Sequence, residues 1–182
     1  LQALFTQRGG YTPEDLTLVL DLQHSHMANV LPMYSALAER GQVELTTTPY
    51  YHPIMPLLMK NGWTYEDGIR IDKQAWPDDV RNHLTTGMDL FEEELGFRPV
   101  GMWPSEQSVS PAMVTPVAEV GIEWMVTDEL NLAESVMADG SHPDTDDPAV
   151  LATPWNVTAD DGTKIAVIFR DRVISDRIAF QY

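Results

Sequence analysis

The 182-residue sequence contains no cysteine, which removes a disulfide framework, a thiolate metal site and a thiol nucleophile. Chemistry has to come from carboxylates, histidines, hydroxyls or a bound metal. Lysine is scarce, with Lys60, Lys73 and Lys164 alone, and 11 Lys plus Arg face 28 Asp plus Glu for a formal net charge of −17. A field of that sign repels phosphate polyanions and anionic membranes, so nucleic acid is not an expected partner. The acidic pattern suits a saline cytoplasm, where repulsion is screened, as well as an ordinary acidic protein. Long apolar runs are missing too, and no stretch approaches the roughly 20 residues of a membrane span. The opening LQALFTQRGG lacks the order of a signal peptide, so the expected location is cytoplasmic, with no membrane partner.

What the chain does have is 43% hydrophobic residues, enough to core one globular domain or most of one. It opens without methionine inside a helical pattern and stops at FQY after an apolar segment. The expectation is therefore a fragment, residues 1–182 being a piece of a single domain of unknown oligomeric state. Thr12-Pro13-Glu14-Asp15 supplies a capping hydroxyl, a proline at the first helical position and first-turn acids, so a helix starts there. An interruption is expected near Pro32, with a second helical stretch from Met33 to Arg40 stopped by Gly41.

GQVELTTT (41–48) predicts a strand, 54–60 a short helix closed by Asn61-Gly62, and 62–77 a loop. Pro77-Asp78-Asp79 starts a helix running to about Leu95, and Arg98 to Trp103 is a short strand. Ser110-Pro111 opens a helix ended by Gly121, Glu123 to Thr127 is a buried strand, residues 138–148 are a surface loop, and Lys164 to Phe169 is a strand. The alternation argues for an α/β fold with a mostly parallel sheet. His52, Glu106, Asp128 and Arg170-Asp171 each follow a predicted strand, which is how a parallel barrel collects reactive groups at one rim.

The segments GQVELTTTPYYHPIMPLL (41–58), GMWPSEQSVS (101–110), GIEWMVTDE (121–129) and FRDRVISDRIAFQY (169–182) resemble glycoside hydrolase family 57, in particular its α-amylase and amylopullulanase-like branch. The resemblance implies part of an incomplete (β/α)7 barrel with parallel strands. It also implies a retaining enzyme acting on α-glucans by hydrolysis or glucanotransfer, without a cofactor. The family's nucleophile falls on Glu106. Its acid/base aspartate belongs to a later strand, past Tyr182, so the fragment by itself is expected to be inactive. Retaining chemistry needs both groups, about 5–5.5 Å apart.

The resemblance also places His52 and Glu44 against substrate, with a buried ion-pair partner as the alternative for Glu44, and Trp103 can offer a ring face to a sugar or wall the core. Asp128, the in-chain substitute for the acid/base, is otherwise a substrate contact or a helix cap, and Arg170 with Asp171 contacts sugar oxygens, supports Glu106 or forms an internal salt bridge. Asp176 and Arg177 are expected to be structural. Tyr50, Tyr51, Trp63, Tyr65, Trp76 and Trp155 are candidate subsite or core aromatics. Two other classes remain open. A metal-dependent carbohydrate deacetylase would need an Asp and two His, for which Asp128, His52 and His24 are loose candidates, although His24 and His26 do not share a helical face. A non-catalytic sugar-binding domain is the other.

Overall fold

A computed structural model describes residues 1–60, 62–64, 68–71 and 73–181. Two compact units divide it: Leu1–Leu45 with Glu94–Gly96, and Thr46–Glu93 with Phe97–Tyr182. No linker composition marks the boundary in the sequence.

The first unit is helical: α1 (Gln2–Gln7), α2 (Pro13–Ala28) and α3 (Val30–Glu39). The start of α2 is a capping box, Thr12 Oγ1 accepting from Asp15 N at 3.2 Å while the Asp15 carboxylate accepts from Thr12 N at 2.9 Å. The interruption falls at Asn29 rather than at Pro32. Pro32 sits in the first turn of α3, where a helical N–H has no partner to lose. Gly41 N and Gln42 N bond back to Ala38 O and Leu37 O at 2.9 and 3.0 Å, closing α3. Those bonds keep 41–42 with the helix end, and β1 is only Thr46–Thr47 and not the whole of 41–48.

In the second unit, β1 is followed by α4 (Met55–Met59), the antiparallel pair β2 (Trp63–Thr64) and β3 (Arg70–Ile71), and α5 (Pro77–Leu95). The predicted loop over 62–77 therefore contains a small hairpin; Asn61, expected to close the preceding helix, lies outside the described residues. Next come β4 (Gly101–Met102), a one-turn 3-10 segment at Ser105–Gln107, α6 (Val114–Glu119), β5 (Trp124–Asp128), α7 (Glu129–Ala133) and α8 (Pro148–Leu151). The chain continues through β6 (Trp155–Thr158), β7 (Lys164–Arg170) and α9 (Arg172–Phe180).

The main sheet has the order β1-β4-β5-β7-β6. The first four strands run parallel and β6 is antiparallel to β7, so the sheet is mostly parallel, as expected, with one antiparallel strand at its edge. The reason is the short link: Ala159 N bonds Thr163 O at 2.8 Å, and a connection that tight can only reverse the chain.

Core packing follows the two periodicities. In β7 the buried residues are Ile165, Val167 and Phe169, every second position. In α5 they are Val80, Leu84, Gly87 and Met88, one helical face. Met55, Met88, Met102, Met113 and Met125 are all fully buried, so unbranched side chains fill much of the space between sheet and helices. Parallel pairing sends the C-terminal ends of β1, β4, β5 and β7 to one edge, with Asp128 directly opposite Arg170.

Candidate active site

Two loops meet at that edge. After β1 the chain runs through Pro49 to His52, and after β4, whose pairing is extended by Trp103 N to Thr47 O at 2.8 Å, it runs through Pro104 to Glu106. His52 Nε2 stands 3.2 Å from Glu106 Oε1, and Thr48 Oγ1 stands 3.3 Å from His52 Nδ1. With the carboxylate accepting, Nε2 is the donor, and Nδ1 faces the threonine hydroxyl. The Glu106 side chain is 72% exposed and that of His52 50%, so both are open to a ligand.

The backbone beneath this pair is left-handed on both sides. Tyr51 and His52 have φ of 59° and 54°, and Glu106 and Gln107 have 53° and 56°. Among the described residues the only other non-glycine with positive φ is Arg8, so four of five fall on these two turns. Such backbone costs roughly 1–2 kcal/mol per residue and persists where surroundings over-determine it. The second turn is tied internally by Gln107 N to Pro104 O at 2.8 Å and Ser108 N to Ser105 O at 3.1 Å. From outside, the Thr127 hydroxyl donates to Gln107 O at 2.7 Å and accepts from Asn131 Nδ2 at 2.6 Å. Ser105 Oγ, Gln107 Oε1 and Ser110 Oγ are buried around this turn without a hydrogen-bond partner among the described residues.

Asp128 is fully engaged. Its Oδ1 accepts from Leu130 N at 3.0 Å, capping α7, and its Oδ2 accepts from Arg170 Nε and Nη2 at 3.1 and 3.0 Å. The helix-cap alternative is thus realised together with an ion pair. Arg170 also reaches Asp176 at 3.2 Å, and Asp171 caps α9 by accepting from Ile174 N at 2.8 Å. The Arg170 fork therefore holds Asp128 and Asp176 and not Glu106, and Arg170 pairs across the strands rather than with its neighbour Asp171. Glu44 is exposed, ahead of β1 instead of on it, and belongs to the first unit.

Of the aromatics, Trp103 is half-exposed beside Glu106 in sequence. Tyr51 projects into solvent, with its ring 4.4 Å from that of Tyr50 and 6.2 Å from His83. Trp76 is also exposed, whereas Trp155 packs on the core and donates from Nε1 to Val150 O at 3.1 Å. Tyr65 and the Trp63 side chain lie outside what is described. Among the described residues no three His, Asp or Glu cluster closely enough to hold a metal; His24 lies on α2 in the first unit. No described helix is long and apolar enough to cross a membrane.

Sequence reasoning missed Thr127 and Asn131. A β-branched residue in a buried strand reads as packing, and no spacing signal singles out its hydroxyl.

Parallel strands that bring a carboxylate and an imidazole together beyond their C-terminal ends make this an α/β protein with a candidate site at that edge of the sheet. The chain belongs to glycosyl hydrolase family 57, whose family model matches residues 17–182. It is 30% identical over 112 residues to alpha-amylase 1 of Dictyoglomus thermophilum, a match covering 62% of this chain and 14% of that protein. Its fold is similar to the alpha-amylase AmyC from Thermotoga maritima, with a TM-score of 0.64 at 18% identity over 91% of this chain and 27% of the other. The 4-alpha-glucanotransferase from Thermococcus litoralis gives a TM-score of 0.61 at 21% identity, covering 89% and 21%. The chain thus spans about a seventh of the curated relative and about a quarter of these structures.

Proposed function

We propose that this chain is part of a retaining glycoside hydrolase acting on α-glucans, by hydrolysis or glucanotransfer, with Glu106 as nucleophile. The observation that carries the reading is the exposed Glu106 carboxylate on a left-handed turn after β4, hydrogen-bonded to His52 from the turn after β1. The family membership supports the reaction class, and the named activities of the amylase and glucanotransferase relatives support the substrate class.

In this mechanism a Glu106 oxygen attacks the anomeric carbon while a second carboxyl protonates the departing glycosidic oxygen. The glycosyl ester is then opened by water or by an acceptor sugar hydroxyl. His52 on Oε1 fixes the carboxylate plane and leaves Oε2 to face the sugar. Trp103 offers a ring to the sugar's apolar face. The acid/base is assigned to an aspartate of the longer protein past residue 182. Asp128, the in-chain alternative, has one oxygen on a helix cap and the other on a guanidinium, so both oxygens are already engaged within the protein. The four parallel strands are read as part of a (β/α)7 barrel in which both compact units belong to one catalytic domain, because the family match runs through both.

The test uses the full-length protein that contains this chain. Glu106→Gln should fold normally and lose nearly all α-glucan turnover, and an activated fluoro-sugar should label Glu106. Turnover near the parent level, or label on another carboxylate, refutes the assignment. The 182-residue chain alone should be silent, since a general acid typically contributes about 10² to 10⁴ in rate. Robust turnover by it would return Asp128 to the acid/base role.

A further inference from the structure

The two tightest side-chain hydrogen bonds near Glu106 do not involve Glu106 itself. They run from Asn131 on α7 to the Thr127 hydroxyl at 2.6 Å, and from that hydroxyl to the carbonyl of Gln107 at 2.7 Å. Thr127 is completely buried, on the strand next to β4, and its register is fixed by pairing with Phe169 of β7. A threonine hydroxyl has one proton. With Asn131 Nδ2 donating into its lone pair, that proton is left to point at Gln107 O, so the bond has one direction rather than a rotor's choice.

The carbonyl it grips closes the left-handed pair Glu106-Gln107. Neither residue is glycine or asparagine, so the turn is disfavoured locally and would relax toward ordinary backbone if released. Relaxation of either φ swings the Glu106 side chain away from His52. Within the turn, the bonds Gln107 N to Pro104 O and Ser108 N to Ser105 O would also survive in a common turn of ordinary hand. Among the described hydrogen bonds, the one from Thr127 ties the Gln107 carbonyl to the sheet.

We infer that Thr127, oriented by Asn131, is the positioning residue of the nucleophile: it holds the left-handed turn that aims Glu106 at its substrate and at His52. This rests on Glu106 being the nucleophile. Thr127 touches neither substrate nor the reacting atoms, so its removal should act on kcat and leave KM almost unchanged.

The experiment measures kcat, KM and the rate of fluoro-sugar labelling of Glu106 in the full-length protein and in Thr127→Val, Thr127→Ser and Asn131→Ala. Thr127→Val keeps the shape and loses the hydroxyl. It should lower kcat and labelling together by about 10- to 100-fold, the scale of a misplaced reacting group, with KM within about twofold. Thr127→Ser restores the donor and should return kcat to within about threefold, whatever the valine variant does to folding. Asn131→Ala frees the rotor and should fall between the two. Unchanged kcat in folded Thr127→Val, or a serine variant as impaired as the valine, overturns the positioning role while the nucleophile stands. Absence of label on Glu106 in the unsubstituted protein overturns the nucleophile assignment itself.

Discussion

Gly101 is where fold and site are most directly coupled, and its replacement by alanine should harm both. It opens β4, pairs in register with Trp124 of β5, and is buried. Its φ is not in the left-handed region, so alanine meets no torsional objection. The objection is steric: a Cβ built there falls inside the indole of Trp124, against three atoms of the ring system. A rigid bicycle cannot yield by a small torsion as the end of a long side chain can. Either the ring leaves its place on β4 or β4 leaves its place between β1 and β5. Overpacking of this kind costs about 1–3 kcal/mol. At roughly 2–4 °C per kcal/mol for a domain of this size, Tm should fall by about 2–12 °C.

The second consequence is local. Two residues, Trp103 and Pro104, separate β4 from the turn that carries Glu106, and Pro104 stiffens that connection, so a displaced strand becomes a displaced carboxylate. A misplacement near 1 Å is worth about 10²-fold in rate. Melting curves and kcat for Gly101→Ala, Trp124→Leu and the double variant form the assay. The leucine makes room, so the double variant should be less destabilised than the sum of the singles. A Gly101→Ala protein with parent Tm and parent kcat, or strictly additive losses in the cycle, would refute the reasoning.

Arg170→Met should destabilise by an amount between the about 1 kcal/mol of a surface pair and the about 3–5 kcal/mol of a buried one, because Asp128 is left under-solvated beneath the cap of α7. Denaturant midpoints check it, and no change would show that the strand-end pair is idle. Asp161 should titrate below the usual aspartate range, since Thr163 N–H and then the Thr115 hydroxyl stabilise its charged form. A folded value below the unfolded one means the stabilisation is present above the ordinary aspartate range and is lost as pH falls through the lowered value. Carboxyl NMR should show Thr115→Val moving the midpoint upward; a midpoint at or above the free-aspartate value defeats the assignment.

Much of this architecture is legible in the residues. Thr12-Pro13-Glu14-Asp15 writes out the capping box of α2, and Pro77-Asp78-Asp79 with a buried stripe and Gly96 bounds α5 almost to the residue. Strand β7 alternates as written. Elements of two residues, by contrast, carry too little period to be read, which is why β1 is overestimated and the β2–β3 hairpin is missed. The direction of β6 depends on the turn at Asp160-Asp161-Gly162, a signal that marks a chain reversal but does not by itself say which strands it joins. At the site, motif and strand-end position single out Glu106, His52, Arg170 and Asp171 alike; the structure pairs Glu106 with His52, while the partners of Arg170 and Asp171 lie on β5 and α9 and are chosen by packing that no motif displays.

The left-handed backbone at the site could not be read at all, because the residues that adopt it are the wrong ones for it. Tyr51, His52, Glu106 and Gln107 together hold roughly 4–8 kcal/mol of local disfavour, set against the 5–15 kcal/mol that typically separates folded from unfolded domains. That sum is tolerable only if the geometry is worth keeping, and Gln107 is where the trade can be measured. Glycine there would remove about 1–2 kcal/mol of left-handed cost and a buried acceptor without a partner. Against this stands about 0.5–1 kcal/mol of extra unfolded-state freedom, so Gln107→Gly should leave Tm equal or slightly higher. The same freedom lets the turn sample other backbone regions, so Glu106 should be aimed correctly for a smaller fraction of the time and kcat should fall several-fold. Calorimetry with steady-state kinetics on the full-length protein separates the two effects. A lower Tm with unchanged kcat would mean that the left-handed turn is an incidental consequence of packing and has no part in aiming the carboxylate.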